Sequence, residues 1–399
     1  MISDKELHNR FTSLFSQIAA GAVEREKKRQ LPYQEIKSLQ QAGFGSVRLP
    51  VELGGLGASI RQLFGLLIEL AAADSNISQA FRPHLAFVEE TRLSALSGNN
   101  NSQKYINLIL AGNFFGNAIT EQGQGAVKRY KTSVTQGSSG WMLNGEKFYS
   151  TGSLYADYIV VAADKNGERA SVLVPANADG LTQEDDWDGF GQRLTASGHS
   201  SYTNVPVCEE NIMLGGYGTL GRTWGTAYLQ LILLATLAGI TRRVELDAIT
   251  WVRQRTRTFS HASEALPKDD PLVQEIIGKL SAAAFSTRAT VLAVADLLDD
   301  IVNTGTNDPQ SLDQAERAAA QAQDTVVRQT LDACTLFFET GGASLVSSTH
   351  MYDRHWRNAR TIATHNPLIY KMRALGANLL NDDPLPYEWS AGIRPAEVL

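Results

Sequence analysis

The 399-residue sequence has few cysteines, no long uninterrupted apolar run and little net charge. Its two cysteines, Cys208 and Cys334, are far apart, which argues against a disulfide framework or a cysteine metal site and is typical of a reducing cytoplasm. The first residues lack the basic and apolar regions of a signal peptide, and the longest apolar run, 228–240, is shorter than a membrane span. We therefore expect a cytoplasmic protein with no membrane partner.

The formal net charge of −6 provides no global basic field that would hold nucleic acid. The histidines show no short metal-ligand spacing with glutamate, and no carboxylate-rich motif is present, so we expect no metal site. With 43% hydrophobic residues the chain can bury a large core. These features indicate a soluble, globular protein of the size of an enzyme.

The chain divides by pattern into a helical, a β-rich and a second helical region, which we place at 1–115, 116–218 and 219–399. In the first, Leu63, Leu66, Leu67 and Leu70 recur at helical spacing, and the Pro50 to Gly57 stretch interrupts the helices. Short β-type runs in the second are 158–162 and 170–175. Long helical patterns in the third are 227–252, 272–303 and 310–340, the last with capping chemistry expected at 311–316.

Three motifs stand out in this frame: FGNAITE at 115–121, GEKFYSTG at 145–152 and DRHWRNARTIATHNP at 353–367. Together they resemble the acyl-CoA dehydrogenase superfamily, and the resemblance covers almost the whole chain. It implies an α+β fold, mostly α, with an N-terminal α-domain, a middle β-domain and a C-terminal four-helix bundle. It also implies a homo-oligomer, by family habit a homotetramer, whose flavin site is completed across subunits.

The resemblance fails at the catalytic base. Family dehydrogenases take the α-proton of an acyl thioester with a glutamate, placed either just after the segment matching 357–364 or early in the helix after the β-domain. Here His365 and Asn366 stand at the first place, and 214–244 contains no acidic residue. Because proton abstraction needs a base within hydrogen-bond reach, the pattern favours the flavin-dependent monooxygenase branch, which includes dibenzothiophene monooxygenase.

Four residues carry over from the family as contacts of the flavin ring: Asn117, Thr120, Tyr149 and Thr151. Asn117 and Thr120 match a strand end that meets the pyrimidine edge, Tyr149 the aromatic against the isoalloxazine, and Thr151 the hydroxyl at N5. If 147–153 is a strand, Tyr149, Thr151 and Ser153 address one slot. Without the family pattern, both segments would be ordinary polar strand ends.

The cofactor phosphate is expected to meet Arg255 or Arg257, which flank the family's arginine position, and a loop containing Gly341 and Gly342. Arginine suits phosphate because its fork is always charged. A basic solvent face explains the arginines about as well. The family's Gln before the glycines is absent at its usual offset, which favours FMN over FAD.

His365, His84 and Ser153 are the candidate catalytic residues for oxygen chemistry. Imidazole can donate or shuttle a proton near neutral pH, although a lone helical histidine is more often structural. His350 and His355 match family positions away from the flavin.

These patterns predict a two-component monooxygenase that takes reduced FMN from a separate flavin reductase. It would use O₂ on a small organosulfur or aromatic substrate, in sulfur metabolism. No dinucleotide fingerprint for NADH is present. An FAD-dependent acyl-CoA dehydrogenase with another base, and a non-catalytic flavin-binding protein, remain as alternatives.

Overall fold

A computed structural model describes residues 2–99, 101–122, 130–138, 140–215, 222–306 and 308–388. The predicted boundary at 218/219 and the glycines of the loop after Gln122 lie outside the described residues. Within them the order helical, β, helical is confirmed.

The first region contains six α-helices in its described part: α1 (Asp4–Lys28), α2 (Tyr33–Gln41), α3 (Ile60–Ala73), α4 (Ser75–Ala80), α5 (Arg82–Leu96) and α6 (Ser102–Leu110). The side chains of Ser3 and Ser59 cap α1 and α3, each in a capping box with the residue three positions later. The predicted interruption is confirmed, since the chain between α2 and α3 forms two short 3-10 turns, Phe44–Ser46 and Val51–Leu53, and no α-helix.

The middle region is one twisted sheet: β1 (Phe115–Ala118), β2 (Ser133–Gly137), β3 (Gly140–Lys147), β4 (Tyr158–Lys165), β5 (Glu168–Pro175), β6 (Leu181–Gln183), β7 (Ser200–Val207) and β8 (Ile212–Leu214). The strand order is β6-β7-β3-β2-β4-β5-β8, and β1 pairs with β4 in parallel. One sheet face carries its own apolar core, and the other packs through Phe115 and Leu173 on α5 and α6. The sheet is therefore fixed to the N-terminal helices at β1.

The third region contains α7 (Gly225–Gln254), α8 (Pro271–Thr304), α9 (Pro309–Leu336), α10 (Asp353–Ala363) and α11 (Leu368–Asn381). The predicted helices are confirmed, but the start and end of α9 differ. Asp308, not the 311–316 segment, caps it by accepting from Ser311 N, and the chain tightens after Leu336 into a 3-10 turn through Thr340.

Two of these helices, α7 and α8, have the length and hydropathy of a membrane span. In α7, 83% of the most apolar stretch is buried inside the protein, between α3, α8 and α9, as expected for a core helix. In α8 only 39% is buried, and Phe285 is 77% exposed. A single copy of the protein therefore exposes apolar side chains of α8 to solvent.

Candidate active site

The end of β1 and the segment after β3 lie side by side. Phe148 N donates to Thr120 O at 2.9 Å, and Asn117 N donates to Thr151 O at 3.3 Å. The structure therefore brings together Asn117, Thr120, Tyr149 and Thr151, which we call the edge group. Tyr149 is 51% exposed and Thr120 is exposed, so the group faces solvent-accessible space.

The predicted strand through 147–153 is wrong, and Ser153 does not share a strand face with Tyr149 and Thr151. Regular pairing ends at Lys147; Tyr149 then adopts a left-handed φ of 60° and Gly152 one of 74°, and Ser153 begins a 3-10 turn. These dihedrals break the two-residue alternation of a strand. Ser153 is buried behind β1, its backbone packed against Gly116.

Thr151 belongs to a chain of three hydroxyls that the sequence pattern did not reveal. Thr151 Oγ1 lies 2.9 Å from Ser197 Oγ, which lies 2.7 Å from Thr195 Oγ1. Thr195 Oγ1 donates to Gln192 O at 3.0 Å. Gly152 N also donates to Thr195 O at 2.9 Å, so the segment 192–198 lies directly against the edge group.

The motif at 353–360 holds this segment in place. Asn358 Oδ1 accepts from Gln192 N at 2.7 Å, and Asn358 Nδ2 donates to Ser75 Oγ at 3.1 Å. Asn76 Oδ1 accepts from Leu194 N at 3.2 Å. Side chains of α4 and α10 thus fix the loop that supports Thr151. The family resemblance drew attention to this motif. Its role in holding the 192–198 segment depends on hydrogen bonds between residues far apart in sequence, which the motif alone does not reveal.

Other residues of the motif form a buried charged network on α7. His355 Nε2 lies 2.8 Å from Asp247 Oδ2, and Arg354 and Arg243 also approach that carboxylate. Burial would raise the pKa of Asp247, but the bond to His355 and the Arg243 charge outweigh it and lower the pKa. Burial and the Arg354 charge lower the pKa of His355 to about 4, so His355 is neutral at pH 7.

His84 is fully buried under β1. Its Nδ1 accepts from Phe115 N at 3.2 Å, so Nε2, 3.1 Å from Gly45 O, is the protonated nitrogen. The ring stacks on Phe114 at 5.1 Å, and burial lowers its pKa to about 4. Both nitrogens are used by backbone groups, so this geometry leaves none for the proposed oxygen chemistry and favours a structural role.

His365 follows α10 and lies on the edge-group side of α7. Asn366 Nδ2 donates to Gln230 Oε1 at 2.7 Å, and Arg82 Nε donates to Leu229 O at 3.3 Å. Burial and the Arg82 charge lower the pKa of His365, while its bond with Asn366 opposes them. His365 keeps contact with solvent, which screens part of this effect, and the lowered pKa leaves its imidazole neutral at pH 7.

The edge group lies close to this part of α7. A Cβ placed on Gly152 would be 3.5 Å from Pro83 Cγ, next to Arg82. Acidic residues of α7 begin only at Glu245, which pairs with Arg242, and Asp247 is held by cations. No carboxylate of α7 is therefore available as a base at the edge-group end.

A buried lysine, which the sequence reading missed, supports the edge group from below. Lys147 Nζ lies 2.8 Å from Glu121 Oε1 and 3.1 Å from Ile119 O. Glu121 also accepts from the backbone N–H groups of Lys131 and Thr132. Burial lowers the pKa of Lys147 to about 8. The pair ties together the two ends of the loop that follows Thr120.

The residues expected at the phosphate gather elsewhere. Arg255 donates to Thr340 O at 3.4 Å, beside Gly341 and Gly342, whereas Arg257 is exposed and makes no hydrogen bond or ion pair with another residue that the structure describes. A Cβ on Gly341 would lie 2.3 Å from Trp251 Nε1, and one on Gly342 would lie 3.0 Å from Phe259 Cζ. The loop glycines are therefore needed for packing against aromatic side chains.

The two groups occupy opposite ends of α7. Leu229, beside the edge group, and Arg255 are 26 positions apart, and an α-helix rises about 1.5 Å per residue, so they are separated by about 40 Å. One chain therefore does not bring the edge group and Arg255 to the same small molecule.

Three domains of a known protein family match the chain in the same order as its helical, β and helical regions. The acyl-CoA dehydrogenase N-terminal domain matches residues 8–113, the middle domain 116–205 and the C-terminal domain 231–368. The chain is 28% identical to the probable FMNH2-dependent monooxygenase SfnC of Pseudomonas putida, over 94% of this chain and 95% of that protein. It is 25% identical to dibenzothiophene monooxygenase of Mycolicibacterium goodii, over 91% of each.

Solved structures agree in fold. FMN-bound TdsC from Paenibacillus sp. A11-2 superposes with a TM-score of 0.88 at 25% identity, covering 96% of this chain and 99% of that one. Methanesulfinate monooxygenase MsuC from Pseudomonas fluorescens gives 0.86 at 26% identity, covering 97% and 100%. The expected α+β, mostly α architecture is confirmed.

Proposed function

The chain belongs to the acyl-CoA dehydrogenase family, and we propose that it is an FMNH₂-dependent monooxygenase acting on a small organosulfur compound. The observation that carries the proposal is His365, in place of the family's base, beside the end of α7 that contains no acidic residue. Similarity to SfnC, dibenzothiophene monooxygenase and MsuC supports it.

The edge group fits a flavin ring. Tyr149 offers an exposed aromatic face, and Asn117, Thr120 and Thr151 offer amide and hydroxyl groups to polar ring atoms. The glycine loop fits an adenosine less well, because Trp251 and Phe259 occupy the space that Gly341 and Gly342 leave. This packing favours FMN over FAD.

When bound, reduced flavin supplies the two electrons with which O₂ gives one oxygen atom to the substrate and one to water. Thr151 and Asn117 would orient the ring, and Tyr149 would cover one face. His365, neutral at pH 7, would hold or donate a proton near the reacting oxygen. His84 has no assigned step because its nitrogens are engaged with backbone groups.

We propose a separate flavin reductase as partner. Gly43 precedes a 3-10 turn, Phe44–Ser46, and Gly45 lies within it, so these glycines do not form a strand-to-helix phosphate turn. A second Gly-x-Gly sequence, Gly123 to Gly125, lies outside the described residues. The flavin would therefore be reduced on the separate reductase and bound by this protein in its reduced form.

We further propose a homotetramer, or at least a dimer, in which Arg255 of a second copy meets the phosphate. The roughly 40 Å between Leu229 and Arg255, set by the helical rise, requires a contribution from another copy. The exposed apolar residues Phe285 on α8 and Leu380 on α11, 77% and 84% exposed, offer surface for such contacts. Light scattering should show an oligomer, and Phe285→Asp with Leu380→Asp should weaken it.

The activity test supplies the protein with FMN, a flavin reductase, NADH and air. Dibenzothiophene and methanesulfinate are offered separately, and ¹⁸O₂ reports whether one oxygen atom enters the product. Octanoyl-CoA with an artificial electron acceptor tests the dehydrogenase alternative. Co-purified FAD that is bleached anaerobically by acyl-CoA would refute the proposal.

A further inference from the structure

The hydroxyl chain at the edge group ends on a group that cannot donate. Gln192 O is a backbone carbonyl, so Thr195 Oγ1, 3.0 Å away, must be the donor in that bond. A threonine hydroxyl has one proton. Thr195 therefore has none left for Ser197, and the 2.7 Å bond between them requires Ser197 to donate.

The same count fixes the next bond. The single proton of Ser197 is spent on Thr195, so the 2.9 Å bond between Ser197 Oγ and Thr151 Oγ1 requires Thr151 to donate. Another acceptor within reach of Thr151 is Tyr149 O at 3.4 Å, again a carbonyl. In either arrangement the Thr151 proton points into the protein, and a lone pair of Oγ1 remains for a ligand.

The far end of the chain is firmly anchored. Gln192 holds a left-handed φ of 52°, unusual outside glycine, and its N–H is bonded to Asn358 Oδ1 at 2.7 Å. Gln192, Thr195 and Ser197 are all buried. Because water does not reach this end freely, the carbonyl keeps Thr195 as its donor.

We propose that the hydroxyl chain of Thr195, Ser197 and Thr151 makes Thr151 a hydrogen-bond acceptor toward flavin N5. The site would then bind reduced FMN more tightly than oxidised FMN. Reduced flavin carries N5–H, a donor, whereas oxidised N5 is only an acceptor and would meet a second acceptor in Thr151. The inference rests on the proposed function, specifically on Thr151 meeting N5. It assigns Thr195 and Ser197 as positioning residues that act through Thr151.

The test measures the dissociation constants of FMNH₂, anaerobically, and of FMN on the full-length protein. Thr195→Val removes the acceptor of Ser197, which can then donate to Thr151 and release the Thr151 proton toward the flavin. Ser197→Ala removes the nearer acceptor of Thr151 and leaves it Tyr149 O at 3.4 Å, a distance at which the hydrogen bond is weak. Each variant should lower the ratio of the FMN to the FMNH₂ dissociation constant about three- to tenfold, the effect of one hydrogen bond.

Two matched variants define the background. Thr195→Ser keeps the hydroxyl and should retain the wild-type ratio. Thr182→Val removes a hydroxyl from an exposed pair with Ser201, on β6 and β7 of the same sheet, and should also leave it unchanged. If Thr195→Val fails to fold, Ser197→Ala still tests the same proton count.

The outcomes separate the inference from the proposed function. Equal weakening of both redox forms in Thr195→Val and Ser197→Ala, with an unchanged ratio, would reduce the chain to a structural role and overturn the inference. Wild-type protein that binds neither form of FMN would instead refute the proposed flavin function.

Discussion

The two ends of α7 use polar residues in opposite ways. At the end near Gln230, the Asn366 amide bonds to Gln230 beside the His365 imidazole, and that turn of α7 contains no carboxylate. At the other end, Asp247 is buried among His355, Arg243 and Arg354. The polar groups at the Gln230 end are available to a ligand or a transferred proton. At the Asp247 end, the buried carboxylate is already paired with neighbouring side chains.

This difference explains why a carboxylate on α7 does not rescue the dehydrogenase reading. A base must be free to accept a proton from a substrate. Burial would raise the pKa of Asp247, but the hydrogen bond with His355 and the Arg243 charge outweigh it, lower the pKa and occupy the carboxylate oxygens. Two histidines ten positions apart divide in the same way: His355 is bonded to Asp247, and His365 retains solvent exposure.

The largest effect that would test this contrast is expected from His365→Ala. Loss of one acid/base group typically lowers a rate by about 10²–10⁴-fold, so oxygenation should fall sharply while the fold and most flavin affinity remain. Released H₂O₂ should rise as oxygen transfer becomes uncoupled. Stopped-flow flavin oxidation with peroxide assay measures both; His350→Ala, at the opposite end of α7, is the control. Unchanged product and peroxide yields would make His365 structural.

The next effect concerns stability. Asp247→Asn keeps the shape but removes the charge facing Arg243 and Arg354, and breaking a buried ion pair costs about 3–5 kcal/mol. Urea unfolding should show this loss. Asp296→Asn, which breaks an exposed pair with Arg61, should cost under about 1 kcal/mol. Equal losses in the two variants would mean that the network around Asp247 contributes no special stability.

Sequence reasoning reached the edge group because its residues are close along two short segments. Asn117 and Thr120 share one motif, Tyr149 and Thr151 another, and family resemblance aligned both. The domain order followed from periodicity. The position of Ser153 was wrong because left-handed dihedrals at Tyr149 and Gly152 are not visible in an alternation pattern.

Long-range hydrogen bonds could not be predicted in the same way. Thr195 and Ser197 lie more than forty positions from Thr151, in a segment without regular structure, and Asn358 is over 160 positions from Gln192. His84 looked available in sequence, and only the backbone groups of Gly45 and Phe115 show that its nitrogens are used.

Stability should also fall with acid. The folded-state pKa of His84 is lowered to about 4, below its ordinary value of about 6.5, so its contribution is complete above pH 6.5 and is lost as pH falls toward 4. At pH 5 this loss is about 2 kcal/mol, and His355 acts in the same direction. Urea midpoints from pH 7.5 to 5 measure it. His8→Gln, at an exposed histidine, should leave the curve unchanged; a flat wild-type curve would contradict neutral buried histidines.

The smallest effect tests whether the distant end of α7 serves a neighbouring copy. Arg255→Ala should weaken FMN binding about ten- to a hundredfold, because a hydrogen bond to a charged group contributes about 1.5–3 kcal/mol. Arg257→Ala shows whether the exposed neighbour can take the place of Arg255 in binding FMN.

If Arg255 acts on a second copy, hybrids of Arg255→Ala and Thr151→Val chains contain some sites with both residues intact. Mixed oligomers, purified with two different affinity tags, should then bind a fraction of FMN with wild-type affinity. Wild-type FMN affinity in the Arg255→Ala protein would place Arg255 outside the flavin site, and the roughly 40 Å set by the helical rise would then separate two unrelated regions. Hybrids in which every site is as weak as in the parent variants would contradict a contribution from a second copy.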